Sequence, residues 1–236
     1  MKCILLAAGV GSRISRHLHN KPKSLLEMEP GVSLLEHNVK KLAQHGITDV
    51  SIVIGYEGKQ IIETLKNYPV KFYWNYFYEV TNSITSLWFA KDELDGGDVM
   101  IMNADTFIED ALLEDILSEE RSPVILSDES NRENADYRLQ YQDNQLLQYG
   151  KHLTVEETTG EEVGIVKIKR VDLPQVRIRL QEMIENRECN TWWEHVFYTM
   201  SEKHPIYIKN IAGKFWAEID FIEDYEKILE FLAKRG

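Results

Sequence analysis

The feature that most constrains the fold is an alternation of short apolar segments with segments of helical periodicity in the first hundred residues. Apolar runs of strand length occupy 3–7, 50–54, 70–74 and 99–102. Between the first two runs, apolar residues recur at helical spacing, for example at Leu35, Val39 and Leu42. Strands that alternate with helices form a largely parallel sheet covered on both faces, and such sheets bind ligands at the carboxyl ends of their strands.

The pattern changes after Ser118, where shorter strands are predicted at 137–141, 145–149 and 163–169. Hairpin connections are expected around Asp143–Asn144 and Thr159–Gly160. A strand at 206–211 and an amphipathic helix at 222–233 follow. The chain has 236 residues, of which 43% are hydrophobic, and this is enough for one sizeable core. We therefore predict that residues 1–236 form a single domain.

Charge and apolar patterning exclude several classes of protein. The net charge of −12 argues against nucleic acid or an anionic membrane surface as a partner. No stretch approaches the ~20 consecutive apolar residues that span a bilayer. The chain opens on an apolar run with no charged segment before it, and its two cysteines are too few for a disulfide framework. These features predict a cytoplasmic protein.

One basic segment stands out in this acidic chain. Between residues 1 and 26 the charged side chains are all cationic, namely Lys2, Arg13, Arg16, Lys21 and Lys23. Gly9 and Gly11 let backbone N–H groups approach phosphate oxygens closely. Arg13 can fork onto phosphate, and Lys23 can add a point charge. A Gly-x-Gly after a strand is by itself more often a tight turn, but in this combination it predicts a phosphate-binding loop. His17 and His19 fall in the same loop.

The sequence here resembles the nucleotidyltransferase superfamily that activates sugar phosphates and polar head groups. Positions 6–13 read Leu-Ala-Ala-Gly-Val-Gly-Ser-Arg, and Pro22-Lys23 follows at the family's spacing. The resemblance implies a Rossmann-like α/β fold, with a mixed central sheet flanked by helices and a small β-rich acceptor-binding extension. It assigns nucleotide binding to about 1–118, acceptor binding to about 119–215, and a metal-ligand segment with a closing helix to 216–236.

Two acids far apart in the sequence resemble the family's metal ligands. Asp105 ends the segment Asn-Ala-Asp, and Asp220 ends Glu-Ile-Asp. An aspartate after a strand is usually a cap or turn residue, and only the resemblance favours a ligand here. It implies that Asp105 and Asp220 hold Mg²⁺, which prefers hard oxygen ligands and neutralises charge on a leaving group. Asp224 is predicted to lie in the first turn of the closing helix.

Residues 81–88 indicate which branch of this superfamily the chain resembles. Their sequence, Thr-Asn-Ser-Ile-Thr-Ser-Leu-Trp, is similar to a segment of CTP:phosphocholine cytidylyltransferases that lies near the bound cytidine. Ser83 stands where that branch usually has Asn, and a capped helix with Leu87 and Trp88 packed inward also explains the pattern. The nucleotide-binding residues implied by the resemblance are Ala7, Ala8, Gly9, Gly11, Ser12, Arg13, Asn82, Ser83 and Ser86.

Aromatic and acidic residues further along the chain predict the acceptor pocket. Trp192 and Glu194 resemble an aromatic and acidic segment of the same branch, and Tyr137 falls where that branch has Trp. We predict Tyr137, Trp192 and Glu194 as the set that binds an ammonium group. A Tyr at 137 would weaken a choline cage, whereas Glu194 would suit a primary amine. Packing of the adjacent tryptophans explains the pattern equally well. Glu162 is a weaker candidate, because a solvated acidic turn is expected there.

These patterns predict a Mg²⁺-dependent cytidylyltransferase that transfers CMP from CTP to a small amine-bearing phosphate or phosphonate. Phosphocholine is the first expectation, with phosphoethanolamine and 2-aminoethylphosphonate as alternatives. The predicted catalytic residues are Arg13, Lys23, Asp105 and Asp220. Two other functions stay open: a sugar-1-phosphate nucleotidyltransferase that uses UTP, dTTP or GTP, and a non-catalytic nucleotide-binding regulatory module. The chain is expected to be a monomer or a homodimer without nucleic-acid or membrane partners.

Overall fold

The structure is a computed structural model, and it describes residues 1–14, 18 and 20–235. Arg16, His17 and His19, which the sequence placed in the basic loop, lie outside the described residues.

The described strands are β1 (Lys2–Ala7), β2 (Glu27–Glu29), β3 (Val32–Ser33), β4 (Asp49–Ile54), β5 (Val70–Trp74), β6 (Val99–Asn103), β7 (Thr106–Phe107), β8 (Val124–Asp128), β9 (Arg138–Gln142), β10 (Gln145–Tyr149), β11 (Gly160–Ile168), β12 (Tyr207–Asn210) and β13 (Ala217–Glu218). The α-helices are α1 (Leu34–Gln44), α2 (Gly58–Thr64), α3 (Ser83–Phe89), α4 (Asp110–Ser118), α5 (Leu173–Glu185), α6 (His195–Met200) and α7 (Ile222–Ala233). Short 3-10 helices occupy Lys23–Leu25 and Lys91–Glu93. None of the described helices is long and apolar enough to cross a membrane.

The described residues form a nine-stranded mixed sheet in the order β5-β4-β1-β6-β11-β8-β12-β10-β9. Strands β5, β4, β1 and β6 are parallel, and β11 runs antiparallel to both β6 and β8. Strand β9 also pairs with the start of β11, so the second half of the sheet curls back on itself. The predicted Rossmann-like fold with a mixed central sheet is therefore confirmed.

Helices cover both faces of the sheet because the side chains of each strand alternate between the faces. In β1, Cys3 and Leu5 pack in the cluster that includes Leu35 of α1, whereas Ile4 and Leu6 pack in the opposite cluster with α3, α5 and α6. A third, smaller cluster packs α7 beside β7 and the segment that leads out of the glycine loop. The parallel pairing of β1 with β6 places their carboxyl ends next to each other.

The second half of the chain differs from the prediction in two respects. Asp143 and Asn144 do form a two-residue hairpin, with φ of 52° and 59°. The hairpin expected at Thr159–Gly160 is wrong, because Gly160 begins β11, which pairs with β9 rather than with β10. Strand β8 and helices α5 and α6 were also missed. Helix α5 carries a recognisable signal, since Pro174 stands in its first turn and its buried residues follow helical spacing.

Candidate active site

A cavity of about 290 Å³ opens at the carboxyl ends of the parallel strands. Strands β1 and β6 are neighbours, with Leu6 opposite Asn103. The backbone N–H of Ala104 donates to the Leu6 carbonyl at 3.1 Å. The glycine loop after β1 and Asp105 after β6 therefore leave the sheet side by side, at the edge where ligands bind in such folds.

All the predicted site residues except Ser12 line this cavity. Ser12 is exposed and lies outside the lining set. The lining also includes residues that the sequence did not single out as site residues, among them Asn75, Tyr78, Asn103, Tyr198 and Glu218. The side chains Arg13, Lys23, Asp105 and Asp220 are called the ion-paired end of the cavity below. The side chains Tyr137, Glu162, Trp192, Glu194, Tyr198 and Glu218 are called the acidic end.

The ion-paired end is a single network. Lys23 Nζ contacts both Asp105 Oδ2 and, at 3.1 Å, Asp220 Oδ1. Arg13 Nη1 contacts the other oxygen of Asp220. A Cβ on Gly11, which has φ of +64°, would lie 3.3 Å from Lys23 Cδ. The glycine therefore leaves room for the lysine to reach the two carboxylates.

Lys23 stays protonated in this network. Burial alone would lower its pKa, but the charges of Asp105, Glu218 and Asp220 outweigh burial and raise the pKa above its usual value. Lys23 is thus a fixed cation that can hold phosphate oxygens, and it cannot act as a general base.

The two carboxylates suit a hard divalent cation. Asp105 and Asp220 already converge on one ammonium group, Lys23 Nζ, which stands in for a cation there. Among the described residues, no group of three or more His, Cys, Asp or Glu side chains could hold a metal ion. A pair of carboxylates fits Mg²⁺, which takes its other ligands from phosphates and water.

Asp224 fixes the position of Asp220. Its Oδ2 accepts from the backbone N–H groups of Asp220 and Phe221 at 3.2 and 2.9 Å. Asp224 lies in the first turn of α7, as the sequence predicted. The helix start therefore holds Asp220 at the edge of the cavity.

The residues predicted near the base also hold α3 in place. Asn82 caps the helix by accepting from Ser83 N at 2.8 Å. Ser83 Oγ accepts from the backbone N–H of Trp193 at 3.0 Å, and Ser86 Oγ accepts from Asn75 Nδ2 at 3.0 Å. The capped-helix interpretation is therefore correct, and it leaves these residues on the cavity wall.

The adjacent tryptophans have different environments. Trp193 is fully buried and donates its Nε1–H to Asn103 Oδ1 at 2.8 Å. Trp192 lines the cavity edge-on to Tyr137, with the ring centroids 5.2 Å apart. Packing thus explains Trp193, whereas Trp192 is free to contact a ligand.

Two carboxylates contact Asn103, and a third, Glu162, also lines the cavity. Because the indole of Trp193 occupies Oδ1, Nδ2 faces the cavity and donates to Glu194 and Glu218, each at 3.4 Å. Glu162 accepts from Gly164 N at 2.8 Å. The expected solvated turn at Glu162 is wrong, because Glu162 lies half-buried in β11 and lines the cavity.

Burial makes these carboxylates costly to ionise. It raises the pKa of Glu194, which is 7% exposed, to about 8. Burial and the neighbouring charges of Glu194 and Glu218 raise the pKa of Glu162 well above its usual value. For Glu218, burial and Asp105 raise the pKa, while Lys23 opposes them. Glu194 therefore stays largely protonated at neutral pH, and a cation bound at the acidic end would favour the ionised form of all three groups.

The profile of the MobA-like NTP transferase domain family matches residues 3–208. The chain belongs to this family. The resemblance stated from the sequence is thus confirmed, and the chain is a nucleotidyltransferase.

Similar proteins include several cytidylyltransferases. The choline-phosphate cytidylyltransferase of Streptococcus pneumoniae is 24% identical over the full length of both chains. The CTP:phosphoglutamine cytidylyltransferase of Campylobacter jejuni is 25% identical over 98% of this chain and all of that one. The solved structure of the CTP:phosphocholine cytidylyltransferase from Streptococcus pneumoniae has a TM-score of 0.78 at 22% identity and covers 98% of each chain. This structural likeness shows the nucleotidyltransferase fold.

In this nucleotidyltransferase, the two ends of the cavity can receive opposite charges. Displacing Asp105 and Asp220 from Lys23 and Arg13 would free both cations for a triphosphate. The carboxylates at the other end can receive a cation. A substrate pair that is anionic at the reacting centre and cationic at one tip matches this arrangement.

Proposed function

We propose that this nucleotidyltransferase transfers CMP from CTP to a small acceptor that carries a phosphate or phosphonate and an amine. The observation that carries the proposal is that one cavity contains both the Lys23–Asp105–Asp220 network and the wall formed by Tyr137, Trp192 and Glu194. The similarity to cytidylyltransferases over the whole chain supports CTP as the donor.

The reaction is a direct displacement. An oxygen of the acceptor phosphate or phosphonate forms a bond to the α-phosphorus of CTP, and the bond from that phosphorus to the pyrophosphate oxygen breaks. The attacking oxygen is already anionic, so no general base is required. Arg13 and Lys23 donate N–H groups to the phosphate oxygens and stabilise charge in the transition state. No covalent enzyme intermediate forms.

We propose Mg²⁺ as the cofactor, with Asp105 and Asp220 as its protein ligands. When bound, it would neutralise negative charge on the departing pyrophosphate. Arg13 and Lys23 exchange these carboxylates for phosphate oxygens when the nucleotide binds, so every charge at the ion-paired end keeps a partner. Asp224 holds Asp220 in position through its contacts with the backbone at the start of α7.

The acidic end selects the acceptor by charge. Glu162, Glu194 and Glu218 all line the cavity, and an acceptor carboxylate placed among them would be repelled. An ammonium group would neutralise them. The candidates that fit are therefore phosphocholine, phosphoethanolamine and 2-aminoethylphosphonate, ahead of phosphoglutamine or a sugar phosphate.

The test is pyrophosphate release with CTP and Mg²⁺ in the presence of each acceptor separately. We expect release with at least one amine-bearing acceptor, and much less with UTP, dTTP or GTP. Pyrophosphate release only with a sugar 1-phosphate would show that the chain catalyses nucleotidyl transfer but that the proposed acceptor is wrong. Nucleotide binding without release for any acceptor would instead indicate a regulatory module.

A further inference from the structure

We propose that the acceptor carries a primary ammonium group, bound by Glu162, Glu194 and the hydroxyl of Tyr198. The inference rests on the proposed function and narrows its substrate class. It also adds Tyr198, which lies on α6, as a specificity-determining residue.

The first observation is an unpartnered hydroxyl. Tyr198 is 1% exposed and lines the cavity, yet its hydroxyl has no hydrogen-bond partner among the described residues. Its ring stacks on Tyr149 at 4.4 Å and on Tyr137 at 5.4 Å between centroids, so the side chain cannot turn away. A buried polar group without a partner is unfavourable. The hydroxyl therefore points to a polar ligand group.

The second observation is a pair of carboxyl groups without a cationic partner. No lysine or arginine of the described residues forms an ion pair with Glu162 or Glu194, although both line the cavity. The ligand group that meets them must carry positive charge or donate hydrogens. Glu218 is a weaker candidate, because the charge of Lys23 already acts on it.

The third observation separates a primary from a quaternary ammonium. A quaternary group has no N–H and binds on open aromatic faces. Here Tyr137 stacks face to face on Tyr198, and Lys151 Nζ lies over the ring of Trp192, 5.3 Å from the centroid. One face of Tyr137 and one face of Trp192 are thus covered, which leaves less open aromatic surface for a quaternary group. Glu162, Glu194 and Tyr198 instead supply three oxygen acceptors. A primary ammonium has three N–H donors to match them.

A methylation series tests the inference at constant charge. The acceptors are phosphoethanolamine, its N-methyl and N,N-dimethyl derivatives, and phosphocholine, each assayed with CTP and Mg²⁺ for kcat/KM. We expect kcat/KM to fall with each added methyl group. Phosphocholine should lie about tenfold to a hundredfold below phosphoethanolamine, as expected for lost hydrogen bonds to a charged group.

Single substitutions test whether Tyr198 and Glu162 cause the expected preference for a primary ammonium group. Tyr198→Phe removes only the hydroxyl, and we expect KM for phosphoethanolamine to rise about tenfold, with kcat and the phosphocholine reaction nearly unchanged. Glu162→Gln should act in the same direction. Tyr149→Phe is the matched control, because Tyr149 stacks on Tyr198 and lies outside the cavity lining. This variant should leave the ratio of kcat/KM for phosphoethanolamine to kcat/KM for phosphocholine unchanged.

The possible results distinguish a failure of primary-ammonium recognition from a failure of cytidylyl transfer. A wild-type preference for phosphocholine, or an equal loss with both acceptors in Tyr198→Phe, would overturn the inference and leave cytidylyl transfer intact. Calorimetric binding of the same series, with CTP present and Mg²⁺ chelated, provides the second readout. Graded binding without transfer would support the inference and refute the function, and no binding of any amine would refute both.

Discussion

At the ion-paired end of the cavity, Asp105 and Asp220 each contact a cationic side chain, whereas at the acidic end Glu162 and Glu194 contact none among the described residues. A charge that already has a partner before the ligand binds is less unfavourable than one buried alone. A buried carboxylate without a cationic partner lowers the stability of the folded state. The chain can keep such groups because the rest of the core offsets this loss. The charges of the ion-paired end are therefore already held in position before the ligand binds. The carboxyl groups of the acidic end receive a cationic partner only when the ligand binds.

This contrast predicts that the largest effect on activity comes from the ion-paired end. Asp220→Asn or Asp105→Asn removes a charge that we assign to Mg²⁺ binding, and kcat should fall by at least about 10²–10³-fold. Steady-state pyrophosphate release measures the loss. Asp110→Asn is the matched control, because Asp110 pairs with Lys41 and His45 outside the cavity. Near wild-type turnover in Asp220→Asn would contradict the metal assignment.

Lys23→Gln should reduce kcat somewhat less, by about 10²-fold, because one transition-state contact is lost and Arg13 remains. The KM of the acceptor amine should hardly change, since Lys23 pairs with Asp105 and Asp220 and with neither Glu162 nor Glu194. A rise in acceptor KM as large as the loss in kcat would show that the two ends do not act separately. Full kinetics with varied CTP and varied acceptor distinguish these outcomes.

The two ends also differ in how far the sequence predicts them. Gly9, Gly11 and Arg13 follow β1 within seven residues, so a contiguous motif and one strand boundary are enough to locate them. Asp105 is brought beside them by the pairing of β1 with β6. The alternation of strands and helices predicts only that both segments lie at the same edge of the sheet. The four parallel strands β1, β4, β5 and β6 were predicted to within one residue at their ends, whereas the short strands β2, β3 and β7 were missed.

The acidic end depends on contacts that no local pattern contains. The sequence predicts a turn at Glu162 because two glutamates follow Thr-Thr-Gly. Glu162 is partly buried only because β11 pairs with β8 and β9. Tyr198 lies on α6, a six-residue helix too short to show a period. Its isolated hydroxyl results from packing against Tyr137 and Tyr149, which lie in other segments. Such features require tertiary structure.

Gly164→Ala tests the shape of the acidic end. Gly164 has φ of +78°, and a Cβ there would lie 2.9 Å from Asn103 Nδ2. The alanine should displace the amide that faces Glu194 and Glu218, and strain should add about 1–3 kcal/mol of destabilisation. We expect acceptor KM to rise several-fold with a smaller change in the KM for CTP. Gly97→Ala, where nothing lies within 4 Å of the added Cβ, is the control.

The smallest effect concerns stability, and it is expected only at high pH. Because burial raises the pKa of Glu194 to about 8, the folded state holds this proton more tightly than the unfolded state does. The resulting stabilisation is complete below the unfolded pKa of about 4.3 and is lost as the pH rises through 8. Glu194→Gln cannot ionise, so it should melt above the wild type at pH 8.5 and lose that advantage near pH 5.

Each kcal/mol gained should raise the melting temperature by about 2–4 °C for a chain of this size. Glu185→Gln, on the exposed side of α5, should show no such dependence of the melting temperature on pH. A saturating primary-amine acceptor should narrow the gap at pH 8.5 by stabilising the wild type, since the ammonium group supplies the missing counter-charge. If the two proteins melt together at every pH, Glu194 is not held as an unpaired carboxylate, and the contrast between the two ends fails.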